Sequence, residues 1–408
     1  MSEVFLIILF YLFAKLSLDV MQIRTIKTAK VHEDYLDMFK ISPEDEEKSR
    51  NYNISKLKLS IFRNIVFVSW MIYLSFGGLV SEIVTLLEST LLSTYLINLL
   101  TILIAYMIVY LSMLPIAYIS TFIIEEKYEF NTSTKKLFLK DSFVSTLMSL
   151  ILITIISSVF LFIVPYQNTW WFMMALTIFI LTILSIYIYP NYIAPLFNKF
   201  KKLDNDDVRN EIEELSIQTD FDIKNLYIAD KSKRTKHPNA YFTGFKNNRR
   251  IVFYDTLIDL LSPREIKAVL AHEIGHYKHN HITKSLVIST AVIFIGMFLL
   301  SYLVNSYYYL DLLNLPQNDA AKLIALVFTY QVVSFFIDPF FSILSRKNEY
   351  EADSFASKQV DKEYLITSLI KLYKSNLSFL IPNKLYATFY FSHPTVIERI
   401  NNLRSSDG

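Results

Sequence analysis

The run Ala271-His272-Glu273-Ile274-Gly275-His276 decides how the centre of this chain folds and what it can do there. Read as a helix of 3.6 residues per turn, it puts His272 and His276 on one face, little more than a turn apart, where two imidazoles can close two corners of a zinc tetrahedron. Glu273 sits beside them and not among them. From there a carboxylate can take a proton from a water at the open metal position. An ordinary solvated helix can carry this spacing by accident, but with seven histidines in 408 residues chance is a poor account. The arrangement points to metal-assisted peptide hydrolysis. His279 and His281 follow closely, and their spacing to His272 and His276 fits no second site, so they read as ordinary histidines near a helix end.

Working outward, Ser262-Pro263-Arg264-Glu265 has the form of a helix start, with a capping serine, a proline in the first turn and a capping-box glutamate. The predicted helix therefore runs from there through His276. Before it lies the one long hydrophilic interval, roughly 198–281, which reads as a small α+β unit. It holds a polar helix over Asp206 to Ile217 and short strands over Ile223 to Ala229, Ala240 to Phe245 and Ile251 to Asp255. Gly244 and Lys246-Asn247-Asn248 supply turn chemistry between the last two. A strand edge beside a zinc helix can hold an extended peptide by main-chain hydrogen bonds.

A hydrolytic zinc site needs a third protein ligand and an open position. The chain has no cysteine, which excludes thiolate clusters, disulfides and a cysteine nucleophile. The best carboxylate candidate is Glu349, in Ser345-Arg346-Lys347-Asn348-Glu349-Tyr350-Glu351-Ala352-Asp353-Ser354-Phe355-Ala356. Spacing alone does not choose among Glu349, Glu351 and Asp353. Glu349 and Asp353 share a helical face while Glu351 points elsewhere, so a ligand and a supporting partner are a natural division of roles.

The surroundings are those of a polytopic membrane protein: 53% hydrophobic and 19% charged residues, with a mean hydropathy of +0.33. Seven apolar stretches approach or reach the length that crosses a bilayer: Val4 to Leu18, Leu59 to Val80, Tyr95 to Ile123, Phe143 to Val164, Trp170 to Tyr189, Ile282 to Val304 and Ala321 to Leu344. The first lacks a basic flank and a small-residue cleavage site, so it reads as a retained anchor. Gln331 and Asp338 fall within the seventh, where such groups face protein or water. The predicted division is a five-helix membrane region over 1–197 and a zinc peptidase domain over 198–408 that contributes two further spans, about 282–304 and 321–345.

Lys and Arg crowd the segments at 20–57, 124–141, after 190 and after 345. They are absent from the alternate loops near 84–94, 165–169 and 305–320. The positive-inside rule then predicts an outside N-terminus, a cytoplasmic C-terminus and a cytoplasm-facing metal site. The N-x-S/T sequons at Asn53, Asn131 and Asn376 fall on the cytoplasmic side and read as chance. A formal net charge of +2 gives no support for a nucleic-acid partner.

Several motifs in order resemble the type I CaaX prenyl endopeptidases, integral-membrane zinc metalloproteases of the gluzincin kind, over nearly the whole chain. They are Ile124-Glu125-Glu126-Lys127-Tyr128-Glu129-Phe130-Asn131, Ile193-Ala194-Pro195-Leu196-Phe197-Asn198-Lys199-Phe200, Ser232 through Phe245, the His272 to His276 run, Glu349 through Ala356, and Ser392-His393-Pro394 with Arg399. The resemblance implies one zinc ion held by His272, His276 and Glu349, with Glu273 activating water. It implies that Asp353 is either a proton donor or a support for a ligand, the second being physically safer. His393 and Arg399 would face the zinc and stabilise an oxyanion or hold a substrate carboxylate. Asn239, with Ala240, would contact the substrate backbone. The implied architecture is an α-helical ring of seven spans around a water-filled chamber, closed on the cytoplasmic side by a small α+β zinc domain.

The implied partners are the lipid bilayer and a peptide or protein substrate with or without a prenyl group, in a bacterial inner membrane or a eukaryotic endoplasmic reticulum. The activity implied is trimming of C-terminal C-a-a-X sequences. The alternative is quality-control cutting of damaged or stalled membrane proteins. A transporter with a structural metal is disfavoured by the intact Glu273 and by the lack of paired broken helices. Two positions depart from the family pattern: Glu129 stands where glycine is usual, and Pro238 where serine is common. Both bear on loop shape and peptide alignment.

Overall fold

A computed structural model describes residues 2–203, 206–221, 226–243 and 250–405. The turn assigned to Gly244 and Lys246-Asn247-Asn248, and the start of the strand expected from Ile223, lie outside these residues. Among the described residues, seven helices are long and apolar enough to cross a membrane: Glu3–Thr28, Pro43–Leu74, Thr94–Glu125, Lys135–Ile163, Trp170–Phe197, His281–Val304 and Asp319–Gln359. They are called the first to seventh spans here. Their outer faces carry Phe13, Phe143, Phe162 and Phe340, each about 70% exposed, a burden of bare apolar surface that lipid and not water accommodates.

Every span touches the next in sequence, and the seventh returns to the first through a Phe10–Phe336 stack at 6.0 Å and a Tyr11–Phe335 edge contact at 5.5 Å. The seventh also packs against the third and fourth. Some polar groups inside this assembly pair with one another. Asn64 donates to the buried Asp19 at 3.3 Å, and the Asn383 backbone N–H donates to Gln22 at 2.7 Å.

The first and fifth spans run well past their apolar stretches, to Thr28 and Phe197, and the fourth starts earlier, at Lys135; the second and seventh differ more. The second begins at Pro43, where Ser42 and Asp45 form a capping box, and stops at Leu74 instead of Val80. Gly78, with φ of 79°, breaks it, and Leu79–Glu88 forms a separate short helix. The seventh does not end near Leu344. It runs unbroken for 41 residues through the buried Pro339 to Gln359, so the Glu349 to Ala356 run is the far end of a membrane helix.

The hydrophilic unit contains a four-stranded sheet, β1 (Phe200–Lys202), β2 (Leu226–Ala229), β3 (Ala240–Thr243) and β4 (Arg250–Tyr254), in the order β1-β2-β4-β3. β2 and β4 run parallel, and the outer strands pair antiparallel to them. β1 was not expected: three residues, two of them lysine, carry no strand pattern. The polar helix spans Asp206–Thr219 and turns Val208, Ile212 and Leu215 into the same core as Ile251 and Phe253. Ile266, Val269, Leu270 and Ile274 bring the metal helix, Pro263–Lys278, into that core. Full burial of side chains this size contributes about 1.5–3 kcal/mol each, which anchors the helix on its inner face.

Candidate metal centre

The metal helix starts as its sequence suggests. Glu265 accepts from the Ser262 backbone N–H at 2.8 Å and from its hydroxyl at 2.9 Å. The helix lies against the end of the seventh span, and Gly275 sets how close they come. A Cβ there would meet the Ala352 Cα and carbonyl oxygen at 3.0 Å. This approach brings Glu349 opposite His272 and His276. The His272 and His276 Nε2 atoms are 3.1 Å apart. Glu349 Oε1 is 3.3 Å from His276 Nε2, and Glu349 Oε2 is 3.5 Å from His272 Nε2.

Two tests bear on whether a metal fits. Tetrahedral ligands at zinc distances stand roughly 3.3–3.5 Å from one another, the spacing of these atoms. Glu349 Oε2 is also buried and meets no hydrogen-bond donor closely among the described residues, its nearest neighbours being His272 Nε2 and Arg399 Nη1, each at 3.5 Å. A buried oxygen without a donor is costly unless a cation completes it. The set is therefore chemically suited to zinc.

Asp353 and Arg399 stand behind the ligands. Asp353, fully buried, accepts from Arg399 Nε at 2.8 Å and Nη2 at 2.6 Å, a two-pronged ion pair, and lies 2.8 Å from His272 Nδ1. A carboxylate on the far nitrogen of a metal-ligating histidine fixes its tautomer and leaves Nε2 free to coordinate. Burial lowers the proton affinity of His272, but hydrogen bonds to Asp353 and Glu349 outweigh it and lift the pKa to about 9, against the opposing Arg399 charge. His393 is exposed towards the ligands, with Nε2 at 3.4 Å from Glu349 Oε1.

These residues form one wall of a cavity of about 1220 Å³ whose other walls are the first three membrane spans and the short helices Lys362–Ser375 and Lys384–Tyr390. His272, Glu273, Glu349, His393 and Arg399 line it together with Asn239 and Ala240. Glu273 is half-buried and stays outside the ligand group. The polar residues that the second span contributes are Asn53, Lys56, Ser60 and Arg63, and the first and third spans add Gln22 and Ser120. Gln331 and Asp338, the polar residues noted in the seventh apolar stretch, are not among the lining residues.

Asn239 enters β3, the edge strand, and its carbonyl accepts from the Tyr254 backbone N–H at 2.9 Å. The segment before it is latched to the membrane region. His237 stacks on Phe130 at 4.0 Å, contacts Glu125 Oε2 at 3.1 Å and Asn376 Oδ1 at 2.6 Å, while Tyr52 donates to Glu125 at 2.9 Å. Arg234 grips Asp141 with two hydrogen bonds, at 2.7 and 3.0 Å. Two motifs about a hundred residues apart in sequence thus meet, which spacing could not reveal.

One reading needs correcting. His281 is not an ordinary helix-end residue: it is buried, its Nδ1 is 2.9 Å from His276 Nδ1, and its Nε2 is 3.1 Å from Glu351. With His279 these residues form a second group of potential ligand atoms within 4.8 Å of one another. Asn280, at φ of 55°, reverses the chain after the metal helix and folds His281 back onto it.

A peptidase built into a membrane is the class this arrangement defines. The profile of peptidase family M48 matches residues 202–407, and that of the CAAX prenyl protease N-terminal region, with its five membrane helices, matches residues 22–199. The chain is 32% identical over 413 residues to the CAAX prenyl protease 1 homolog of Taenia solium, covering 87% of this chain and 85% of that protein. It is 32% identical to CAAX prenyl protease 1 of Saccharomyces cerevisiae, covering 89% and 86%. The crystal structure of S. mikatae Ste24p superposes with a TM-score of 0.87 over 98% of both chains at 30% identity. The chain belongs to peptidase family M48, among the CAAX prenyl proteases, and is an integral multi-pass membrane metalloprotease.

Proposed function

We propose that the protein is a zinc-dependent endopeptidase that trims C-terminal C-a-a-X sequences, with one zinc ion held by His272, His276 and Glu349. The observation that carries this reading is the gathering of the three ligand side chains and Glu273 on the wall of a membrane-lined cavity, beside an edge strand. Zinc bound there supplies Lewis acidity to the scissile carbonyl and to water. Glu273 takes the proton of the attacking water on its carboxylate and passes it to the departing amine. Asn239 and Ala240 align an extended peptide along the open side of β3.

Arg399 is committed to Asp353, so the pair acts by holding His272 and Glu349 in place. His393, exposed and close to Glu349, is the better placed to meet negative charge on the substrate. The site faces the cytoplasm, as the loop charges suggest, and the host membrane is a bacterial inner membrane or the endoplasmic reticulum. The names of the relatives and the room for a lipid tail beside the peptide support a prenylated substrate. Turnover of a farnesylated C-a-a-X peptide should exceed that of its unprenylated twin. Equal rates would remove the prenyl requirement and favour quality-control cutting.

A further inference from the structure

We propose that His281, backed by Glu351, is a positioning residue for the metal site, acting on the far nitrogen of His276 as Asp353 does on that of His272. The inference rests on the reading that His276 binds zinc. A neutral imidazole that coordinates through Nε2 carries its proton on Nδ1 and must donate it. At His276 that atom faces His281 Nδ1 at 2.9 Å, which can accept only if the single His281 proton is on Nε2. His281 Nε2 in turn lies 3.1 Å from Glu351 Oε2, a carboxylate that accepts it. One proton assignment satisfies all three groups, and it leaves His276 Nε2 bare at the 3.1–3.3 Å cluster with His272 and Glu349.

The same atoms, with His279, could instead hold a second cation. Two observations weigh against that. Lys284 Nζ and Lys347 Nζ stand 3.8 and 3.9 Å from Glu351, so cations already surround the carboxylate. A metal on His281 Nε2 would also move the His281 proton to Nδ1, facing His276. His276 would then carry its own proton on Nε2, closed to the first metal.

The two sides of the site would thus be matched: each ligating histidine has its outer nitrogen fixed, one by a buried carboxylate directly and one through an intervening imidazole. The partners stand two residues apart in the same short stretch, Asp353 inside and Glu351 at the rim, with side-chain exposures of 0% and 30%. Glu351, set aside as pointing away from the ligands, gains a role from that direction.

The test is zinc affinity of the detergent-solubilised full chain, measured by chelator competition, with the melting temperature of the metal-free protein alongside. His281→Leu removes the acceptor and should weaken zinc about 10–100-fold. His281→Asn places an amide oxygen near the lost Nδ1 and should recover most of that loss, although Leu suits the buried position better for packing. Glu351→Leu, at a half-exposed site that leaves the fold intact, should weaken zinc to a smaller degree, and Glu351→Gln, which keeps an acceptor, less again. Zinc affinity unchanged in His281→Leu, or weakened equally in the Leu and Asn variants, overturns the proposal. So does a second zinc equivalent that is lost in Glu351→Leu. A parent protein that binds no zinc, or binds it as tightly after His276→Ala, overturns the underlying metal assignment instead.

Discussion

Glu273 lines the cavity without joining His272, His276 and Glu349, the three proposed ligands, so binding and chemistry can be separated at this one residue. Glu273→Gln is nearly isosteric and should keep zinc and fold. It should lower turnover by about 10²–10⁴-fold, the usual worth of a general base. Near-parental turnover in a preparation free of contaminating protease would reassign the base. Glu129 offers a second residue-scale experiment. It has φ of 66°, a left-handed conformation that glycine adopts without strain, and an exposed Lys48 ion pair at 3.0 Å does little to offset it. Glu129→Gly should raise the thermal midpoint by about a degree or two. A lower midpoint would show that the ion pair outweighs the backbone. The departure from the family pattern was visible in sequence; its cost became visible only with the backbone angle. The spacing of His272, Glu273 and His276 was legible because a helix repeats every 3.6 residues. The partner of His276 was not, because it depends on the left-handed turn at Asn280.

At the scale of elements, the metal helix and the far end of the seventh span carry the site between them, and Gly275 sets their separation. Gly275→Ala would press a methyl group onto the Ala352 backbone at 3.0 Å, where no flexible side chain can give way. The helices must part by a few tenths of an ångström, at a cost of about 1–3 kcal/mol. Both the melting temperature and zinc affinity should fall; a tight-binding, fully stable Gly275→Ala protein would mean that the contact is slack. The seventh helix also shows why Glu349 could not be separated from Glu351 by pattern alone. Both follow an apolar stretch that contains Pro339, a residue that commonly ends a helix. Because this helix continues, residues 349 and 353 face inward as a pair, two residues out of phase with 351. β1 escaped notice for a different reason, since a strand held by pairing and not by apolar alternation leaves little trace in three residues.

For the whole molecule, seven spans were legible because each needs about twenty apolar residues, a signal that composition alone carries. The cavity was legible only through resemblance: its polar lining is scattered over the first, second and third spans and alternates with apolar residues such as Leu57, Leu59 and Ile116 that line it too. Orientation rests on loop charge and is open to direct measurement. Since the chain has no cysteine, single thiols introduced at Ser306 and Ser405 should label from outside and from the cytoplasmic side respectively. The reverse pattern would invert the assignment of the site.

The seventh span is one rod of 41 residues, about 60 Å long at 1.5 Å per residue, twice the thickness of a hydrocarbon layer. One end is seated by lipid and the other carries Glu349 and Asp353. Any tilt that a thinner or thicker bilayer imposes on it is therefore delivered, as through a lever, to two of the groups that shape the pocket. In discs of graded acyl-chain length, zinc affinity should peak where thickness matches the span and fall on either side, whereas a flat response would mean that the lever is uncoupled. A peaked response would make the membrane a working part of the proposed metal site and not its container.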